Sequence, residues 1–153
     1  MNKLIAAIAA IALIFNLPIV TNANNLNQPN VISNENTKTT YLDNGLIVRY
    51  EITEIPSNAR ANTRTAVKTA NFETVDGKVI TTVKLTASFS YNGSSATCTS
   101  ANASYIMYDG WMYSNKNTTR SGNSATTTAK LSKGRDYFNV NVTMSCSPSG
   151  SIS

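Results

Sequence analysis

The chain has 153 residues, a formal net charge of +5 and 41% hydrophobic residues, enough for one domain with its own core. It contains no histidine, which excludes Ser-His-Asp and Cys-His catalysis and most zinc sites. The basic residues are scattered, so we expect no nucleic-acid binding. A weak attraction to anionic wall or membrane surfaces is the alternative to an ordinary solvated surface.

The N-terminus has the organisation of a secretory signal peptide, which we predict over residues 1–23. Lys3 supplies a positive charge, and an apolar run follows from Leu4 to Phe15. Thr21 and Ala23 place small residues at the −3 and −1 positions of a cleavage site. The run is shorter than the roughly 20 residues that span a bilayer. We therefore expect a secreted, extracellular protein, with cell-wall association as an addition, and no transmembrane segment after processing.

The mature chain is predicted to begin with a flexible, Asn-rich leader over residues 24–40, which has few apolar residues. One domain is expected over residues 41–153. Its first part, 41–55, reads as a strand segment after an Asp43-Asn44-Gly45 turn, and residues 56–62 read as a linker. In this segment one face of the strand is expected to carry Leu46, Val48, Tyr50 and Ile52.

Residues 63–91 are predicted to form a long β-hairpin. Asp76-Gly77 separates its two halves, and an Asp-Gly pair suits a two-residue type I′ turn. The second half alternates with period two over about thirteen residues, which is typical of a half-buried strand. Its expected inner face consists of Val79, Thr81, Val83, Leu85, Ala87, Phe89 and Tyr91.

The remaining chain continues as strands separated by turns at Asn92-Gly93, Ser121–Asn123 and Lys133–Arg135. No amphipathic helix of any length is indicated. Seven or eight strands with such turns predict an all-β, immunoglobulin-like antiparallel β-sandwich, without true immunoglobulin topology. The last strand is expected to turn inward Phe138, Val140, Val142, Met144 and Cys146.

Cys98 and Cys146 are the only cysteines. Export to an oxidising compartment favours a disulfide bond between them, and free thiols or an intermolecular bridge are the alternatives. Trp111 follows Cys98 at about the distance seen in immunoglobulin domains, so we expect it to pack against the disulfide. Met144 stands where the tyrosine-corner residue would be, and only seven residues follow Cys146. These two differences argue against true immunoglobulin topology.

The sequence YIMYDGWMYS at 105–114 gathers four aromatic rings and two methionines. If Asp109-Gly110 closes a two-residue hairpin, Tyr108 pairs with Trp111. Ile106 then pairs with Tyr113, and the four side chains share one face. A longer loop that ends before a strand at Trp111 is the alternative. The cluster is either core or an exposed platform for a sugar ring or a partner. The candidate ligand-binding residues are Tyr105, Tyr108, Trp111 and Tyr113.

Other chemistry finds little support in the sequence. A glycosidase needs a pair of carboxylates, and Asp109 and Asp136 are the candidates, although both are ordinary turn residues. There is no Asp-rich calcium loop and no phosphate-cradling glycine motif. We therefore expect no enzyme, no metal and no cofactor.

Several segments together resemble a group of small secreted proteins of low-GC Gram-positive bacteria, many from gut clostridia. The residues are NFETVDGKVITTVKLTASFSYNGSSATCTSANAS, a Trp, SGNSATTTAKLSKG and VNVTMSCSPSGSIS, preceded by YLDNGLIVRYEI. The similarity covers about residues 41–153. It implies secretion and a β-rich fold, and it implies no established activity.

Three functions are compatible with the sequence. The leading one is a non-enzymatic secreted protein that binds a wall polymer, a glycan or another protein. The first alternative is a secreted toxin, bacteriocin or membrane-active protein that uses the hairpin at residues 63–91. The second is a glycan-acting enzyme that depends on carboxylates. The sequence does not indicate the oligomeric state.

Overall fold

The computed structural model describes residues 37–56 and 62–153. The predicted signal peptide 1–23, most of the predicted leader and residues 57–61 of the predicted linker lie outside the described residues. The described part is all-β, as the sequence predicts, and its first strand begins at Lys38, inside the predicted leader. The eight strands are β1 (Lys38–Tyr41), β2 (Ile47–Ile55), β3 (Thr63–Glu73), β4 (Val79–Tyr91), β5 (Ala96–Met107), β6 (Met112–Ser121), β7 (Ser124–Lys133) and β8 (Asp136–Ser145).

These strands form two antiparallel sheets that pack as a β-sandwich. The larger sheet has the order β1-β2-β3-β4-β5 and the smaller has the order β6-β7-β8. Each sheet is therefore a meander, whereas immunoglobulin sheets interleave strands from distant parts of the chain. The sandwich is confirmed, and the immunoglobulin-like arrangement is not.

The core lies between the sheets and follows from the alternation of apolar residues. All of the predicted inner-face residues of β4 are buried or partly buried, and Leu85 and Phe89 are almost completely so. The predicted inner face of β8 is confirmed as well. Full burial of one such apolar side chain contributes about 1.5–3 kcal/mol. The smaller sheet lies over β3, β4 and β5, so β1 and β2 extend beyond its edge strand β8.

The β3–β4 hairpin forms, but the type I′ turn predicted at Asp76-Gly77 is wrong. Gly77 donates its N–H to the Thr74 carbonyl (2.9 Å), and Thr74 donates to the Lys78 carbonyl (3.0 Å). Gly77 has φ +82°, whereas Asp76 is not among the residues with positive φ. The loop therefore has three residues, a type I turn closed by a left-handed glycine. The same hydrogen bonds link Leu42, Gly45 and Leu46.

The two ends of the sandwich are formed by different turns of the chain. We call "the Trp111 end" the end formed by the turns at 42–46, 74–78, 108–111 and 133–136. We call "the cysteine end" the end formed by the turns at 92–95 and 121–124 and by residues 146–153. The strands between them are long: β6 alone covers ten residues, or roughly 30 Å at the rise of a β-strand.

Candidate functional site

The aromatic segment at 105–114 crosses from one sheet to the other instead of forming a hairpin. Asp109 and Gly110 both have positive φ, and Trp111 donates its N–H to the Tyr108 carbonyl at 3.2 Å, so a tight turn is present. Beyond that turn β5 pairs with β4 and β6 pairs with β7. The predicted pairing of Ile106 with Tyr113 is therefore wrong. The alternative, in which a new strand begins near Trp111, describes the structure better.

Two of the three candidate tyrosines, Tyr105 and Tyr113, lie between the sheets. Their ring centroids are 4.7 Å apart. The Tyr105 hydroxyl is 2.5 Å from Thr127 Oγ1, and the Tyr113 hydroxyl is 2.7 Å from Thr81 Oγ1. Burial raises the pKa of Tyr113 to about 12. Both tyrosines are thus structural links between the sheets. Ile106, predicted to share a face with Tyr113, is 41% exposed instead.

Trp111 is partly buried at the Trp111 end, where its ring packs against Phe138, which in turn packs against Phe72. Its ring lies 5.6 Å from that of Phe138, and Phe138 lies 5.5 Å from Phe72 in the core. The predicted packing of Trp111 against a disulfide is wrong, because Cys98 and Cys146 lie at the opposite end of the sandwich. The contact with Phe138, which itself packs on Phe72, holds the indole in place.

A groove opens beside Trp111, with a volume of about 430 Å³. Three turns of the Trp111 end supply its walls, so residues far apart in sequence meet there. Tyr137 is 64% exposed, and the Lys130 ammonium lies 4.1 Å above its ring. We call this "the Trp111 groove". Its lining consists of Asn44, Leu46, Trp111, Arg135, Asp136, Tyr137 and Phe138.

Among the polar side chains of the Trp111 groove, one is oriented by a backbone hydrogen bond and two form no ion pair with the described residues. Asn44 accepts a hydrogen bond from the backbone N–H of Leu46 through Oδ1 at 3.2 Å, which orients its amide. Arg135 and Asp136 form no ion pair with any residue in the described part of the chain. The groove therefore combines aromatic surface with a guanidinium, a carboxylate and an amide that can bond a ligand.

Tyr108 and Asp109 lie outside this groove. Tyr108 is 43% exposed. Asp109 forms an ion pair with Lys78 at 2.5 Å, and the hydrogen bond from Lys78 lowers the pKa of its carboxyl. A glycosidase acid needs a raised pKa, so Asp109 has the wrong environment for that role. Asp136 is the one carboxylate among the described residues that line the groove.

The cysteines flank the β6–β7 turn. Cys98 donates its N–H to the Gly122 carbonyl (2.8 Å), and Cys146 donates to the Asn123 carbonyl (3.0 Å). Both side chains are buried, and they are not bonded to each other. The Cys98 thiol donates to the Ser100 carbonyl instead. Burial raises the pKa of both thiols, which keeps them protonated and unreactive at neutral pH.

Within residues 37–56 and 62–153, no group of three or more Cys, Asp or Glu side chains could hold a metal ion. In the same part of the chain no helix is long and apolar enough to cross a membrane.

Comparisons with protein-family models, with curated proteins and with solved structures find no match to this chain.

Proposed function

We propose that the protein is a secreted, non-enzymatic module that binds a glycan of the cell surface in the Trp111 groove. The observation that carries the proposal is the position of Trp111, a partly exposed indole held on Phe138 beside Arg135 and Asp136, which form no ion pair with any described residue. Secretion rests on the predicted signal peptide and on the resemblance to small secreted bacterial proteins.

The chemistry of the groove suits a sugar ring. The C–H face of a pyranose is apolar and stacks on an aromatic ring, whereas its hydroxyls need hydrogen-bond partners in the ring plane. Trp111 and Tyr137 offer the aromatic surface. Arg135, Asp136 and Asn44 offer donors and acceptors at the rim. The volume of about 430 Å³ lies within the range of small-ligand pockets.

A carboxylate-dependent enzyme is the weaker alternative. Hydrolysis of a glycosidic bond needs two carboxylates across the substrate, one of them protonated. Asp136 lines the Trp111 groove alone, and Asp109 is held as the anion by Lys78. Loss of cleavage in Asp136→Asn, on any polysaccharide that the wild type degrades, would favour the enzyme over the binding module.

A membrane-active hairpin is also weaker. The strands β3 and β4 are the middle of the larger sheet, and each is paired on both sides. Insertion would break the pairing with β2 and β5 and expose the core residues of β4. We expect no dye release from anionic liposomes at micromolar protein. Release at that concentration would favour the toxin.

Glycan arrays and wall pull-downs test the proposal. Trp111→Ala should weaken retention by about tenfold or more, because a stacked ring contributes roughly 1 kcal/mol beyond the area it buries. Tyr137→Ala should weaken retention less, because the exposed Tyr137 ring is not held by packing against Phe138 as Trp111 is.

Tyr108→Ala is the matched control, since Tyr108 is an exposed aromatic residue in the same turn but outside the groove. It should leave retention unchanged. Equal retention of wild type and Trp111→Ala would remove the groove as the site. Equal loss in Trp111→Ala and Tyr108→Ala would point to the exposed surface of the turn, and so to a protein partner.

A further inference from the structure

A second cavity lies far from Trp111, where the larger sheet extends beyond the smaller one. The residues of β1, β2 and β3 that face the sandwich interior form one wall, and the edge strand β8 with Ser153 forms the other. The cavity has a volume of about 360 Å³. We call it "the Lys68 pocket", and its lining consists of Lys38, Tyr50, Ile52, Lys68, Thr143, Ser145 and Ser153.

Strand register places two lysines on the inner face of the larger sheet. Lys38 is opposite Tyr50, and Lys68 is opposite Ile52. Residues directly opposite in an antiparallel pair project to the same side. Since Ile52 belongs to the core, both ammonium groups lie on the face that elsewhere carries apolar side chains.

Lys68 is the unusual member of this face. Its neighbours on the same side of β3, Ala66 and Ala70, are completely buried. Its ammonium lies 5.6 Å from the centroid of the Tyr50 ring. Burial lowers the pKa of Lys68, and the nearby charge of Lys38 lowers it further. Lys68 is partly buried, and a cation withdrawn from water is normally stabilised by a counter-charge, which makes the surroundings of Lys68 informative.

That counter-charge is missing from the described residues. Neither Lys38 nor Lys68 forms an ion pair there. Glu54, the carboxylate on the same side of β2, is bonded to Arg64 at 2.8 Å. The pocket therefore holds two positive charges that no carboxylate of residues 37–56 or 62–153 neutralises.

Hydroxyl groups complete the pocket on the side of β8. Ser145 Oγ is 2.8 Å from Ser153 Oγ, and Thr143 Oγ1 is 3.0 Å from Thr126 Oγ1. A hydroxyl has one proton to donate, so the member of the Ser145–Ser153 pair that accepts can still donate to a ligand oxygen while the pair is kept. The Tyr50 hydroxyl is a further donor on the opposite wall.

We propose that the Lys68 pocket binds an oxyanion, a phosphate or carboxylate group, between the two lysine ammonium groups and the hydroxyls of β8. An anion there would supply the missing counter-charge in a partly desolvated cavity, where charge-assisted hydrogen bonds are stronger than at an open surface. The competing explanation is that the two lysines bind no ligand and only protect the edge strands beside the pocket, β1 and β8, from pairing with another chain, a known use of inward-facing charges.

The experiment is an NMR titration of the isotope-labelled protein with sodium phosphate, and separately with sodium acetate, against sodium chloride at matched ionic strength. Phosphate or acetate should give saturable shifts at Ile52 and Ser145, with a dissociation constant in roughly the millimolar range. The anion that saturates at lower concentration identifies the ligand class. Chloride should give no saturable shift.

Lys68→Met retains the apolar stem above Tyr50 and should weaken binding about tenfold. Lys84→Met is the matched control, because Lys84 is exposed on β4 and lies outside the pocket. Lys38→Met provides a second test if Lys68→Met does not fold. Unsaturable shifts in the wild type, or equal weakening in Lys68→Met and Lys84→Met, would leave sheet-edge protection as the only role. Trp111→Ala should bind the anion normally, so this test is independent of the glycan proposal.

Discussion

Each end of the sandwich carries an aromatic side chain, but the cysteine end is closed around its ring whereas the Trp111 end is open beside its ring. At the cysteine end the Tyr91 ring lies directly against Gly150, and Gly93 donates its N–H to the Pro148 carbonyl. The chain after β8 folds back so that Cys146 pairs with Ile152. At the Trp111 end the indole rests on Phe138, and its other side borders an open groove. The closed end suits stability and the open end suits binding.

The polar groups repeat this contrast. At the cysteine end Ser145 and Ser153 exchange two backbone hydrogen bonds, and Asn123 donates through Nδ2 to the Cys146 carbonyl. At the Trp111 end Arg135 and Asp136 have no ion-pair partner among the residues that the structure describes. Polar groups left without protein partners at a concave surface are the features that bind ligands.

Oxidation of the cysteine end has the largest expected effect. A bond between Cys98 and Cys146 would close a loop of about 49 residues, for which the chain-entropy model gives about 4 kcal/mol of stabilisation. This bond stays a prediction, because both thiols are free in the structure. Urea unfolding with and without reductant should show the difference. Cys98→Ser should unfold at the same urea concentration in both conditions. Two titratable thiols in natively purified protein would refute the bond.

Gly150→Ala should destabilise the protein at the cysteine end. A Cβ at Gly150 would lie 2.5 Å from an atom of the Tyr91 ring, and the residue has φ +90°. Strain and overpacking together should cost about 2–4 kcal/mol in the free energy of unfolding. Gly134→Ala is the control, since its φ is +61° but nothing lies within 4 Å of its Cβ position. It should cost about 1–2 kcal/mol. Equal losses would mean that the contact with Tyr91 is unimportant.

Tyr113→Phe tests the buried hydrogen bond between the two sheets next to the Trp111 end. Loss of the hydroxyl that bonds Thr81 should cost about 1 kcal/mol, whereas Tyr108→Phe should cost nothing measurable. The pKa of Tyr113, raised to about 12, also predicts a pH dependence. The unfolded state loses this proton from about pH 10, so stability should fall between about pH 10 and about 12. Tyr113→Phe should remove that part of the alkaline slope. An unchanged slope would contradict the assignment.

Asp109→Asn should have the smallest effect. The ion pair with Lys78 is exposed, and Asn tolerates the φ of +54° at this position. We expect no measurable change in Tm at neutral pH. Because the pKa of Asp109 is lowered in the folded state, its contribution is present above the unfolded pKa and is lost as the pH falls through the folded pKa. A large loss at pH 7 would show that the turn depends on this pair.

Local pattern predicted much of the fold and little of the candidate site. The alternation in β4 and β8 identified the inward faces, and Gly45, Gly77 and Gly134 marked turns at the Trp111 end. The exact turn at Asp76-Gly77 was missed, since one additional residue changes the loop from two residues to three. The Trp111 groove was missed except for Trp111 and Asp136, because Asn44 and Arg135 approach only through folding.

The sequence also carries a signal for the Lys68 pocket. In the run AVKTA, Lys68 occupies the same face as Ala66 and Ala70, and a charge at a core-facing position is worth examining. Register with β2 was needed to show that this face is the inner one, and the overhang beyond β8 was needed to show that a cavity lies there.

The sequence by itself determined that the described part of the chain is all-β, roughly where its turns lie, and which sides of β4 and β8 face inward, because side chains alternate with period two whatever the strand pairs with. Only the tertiary structure decided that β6 pairs with β7 in the smaller sheet and not with β5, the strand before it. That choice put Tyr105 and Tyr113 between the sheets and left Ile106 in solvent. It depends on the sum of many contacts distant in sequence, which no local pattern contains.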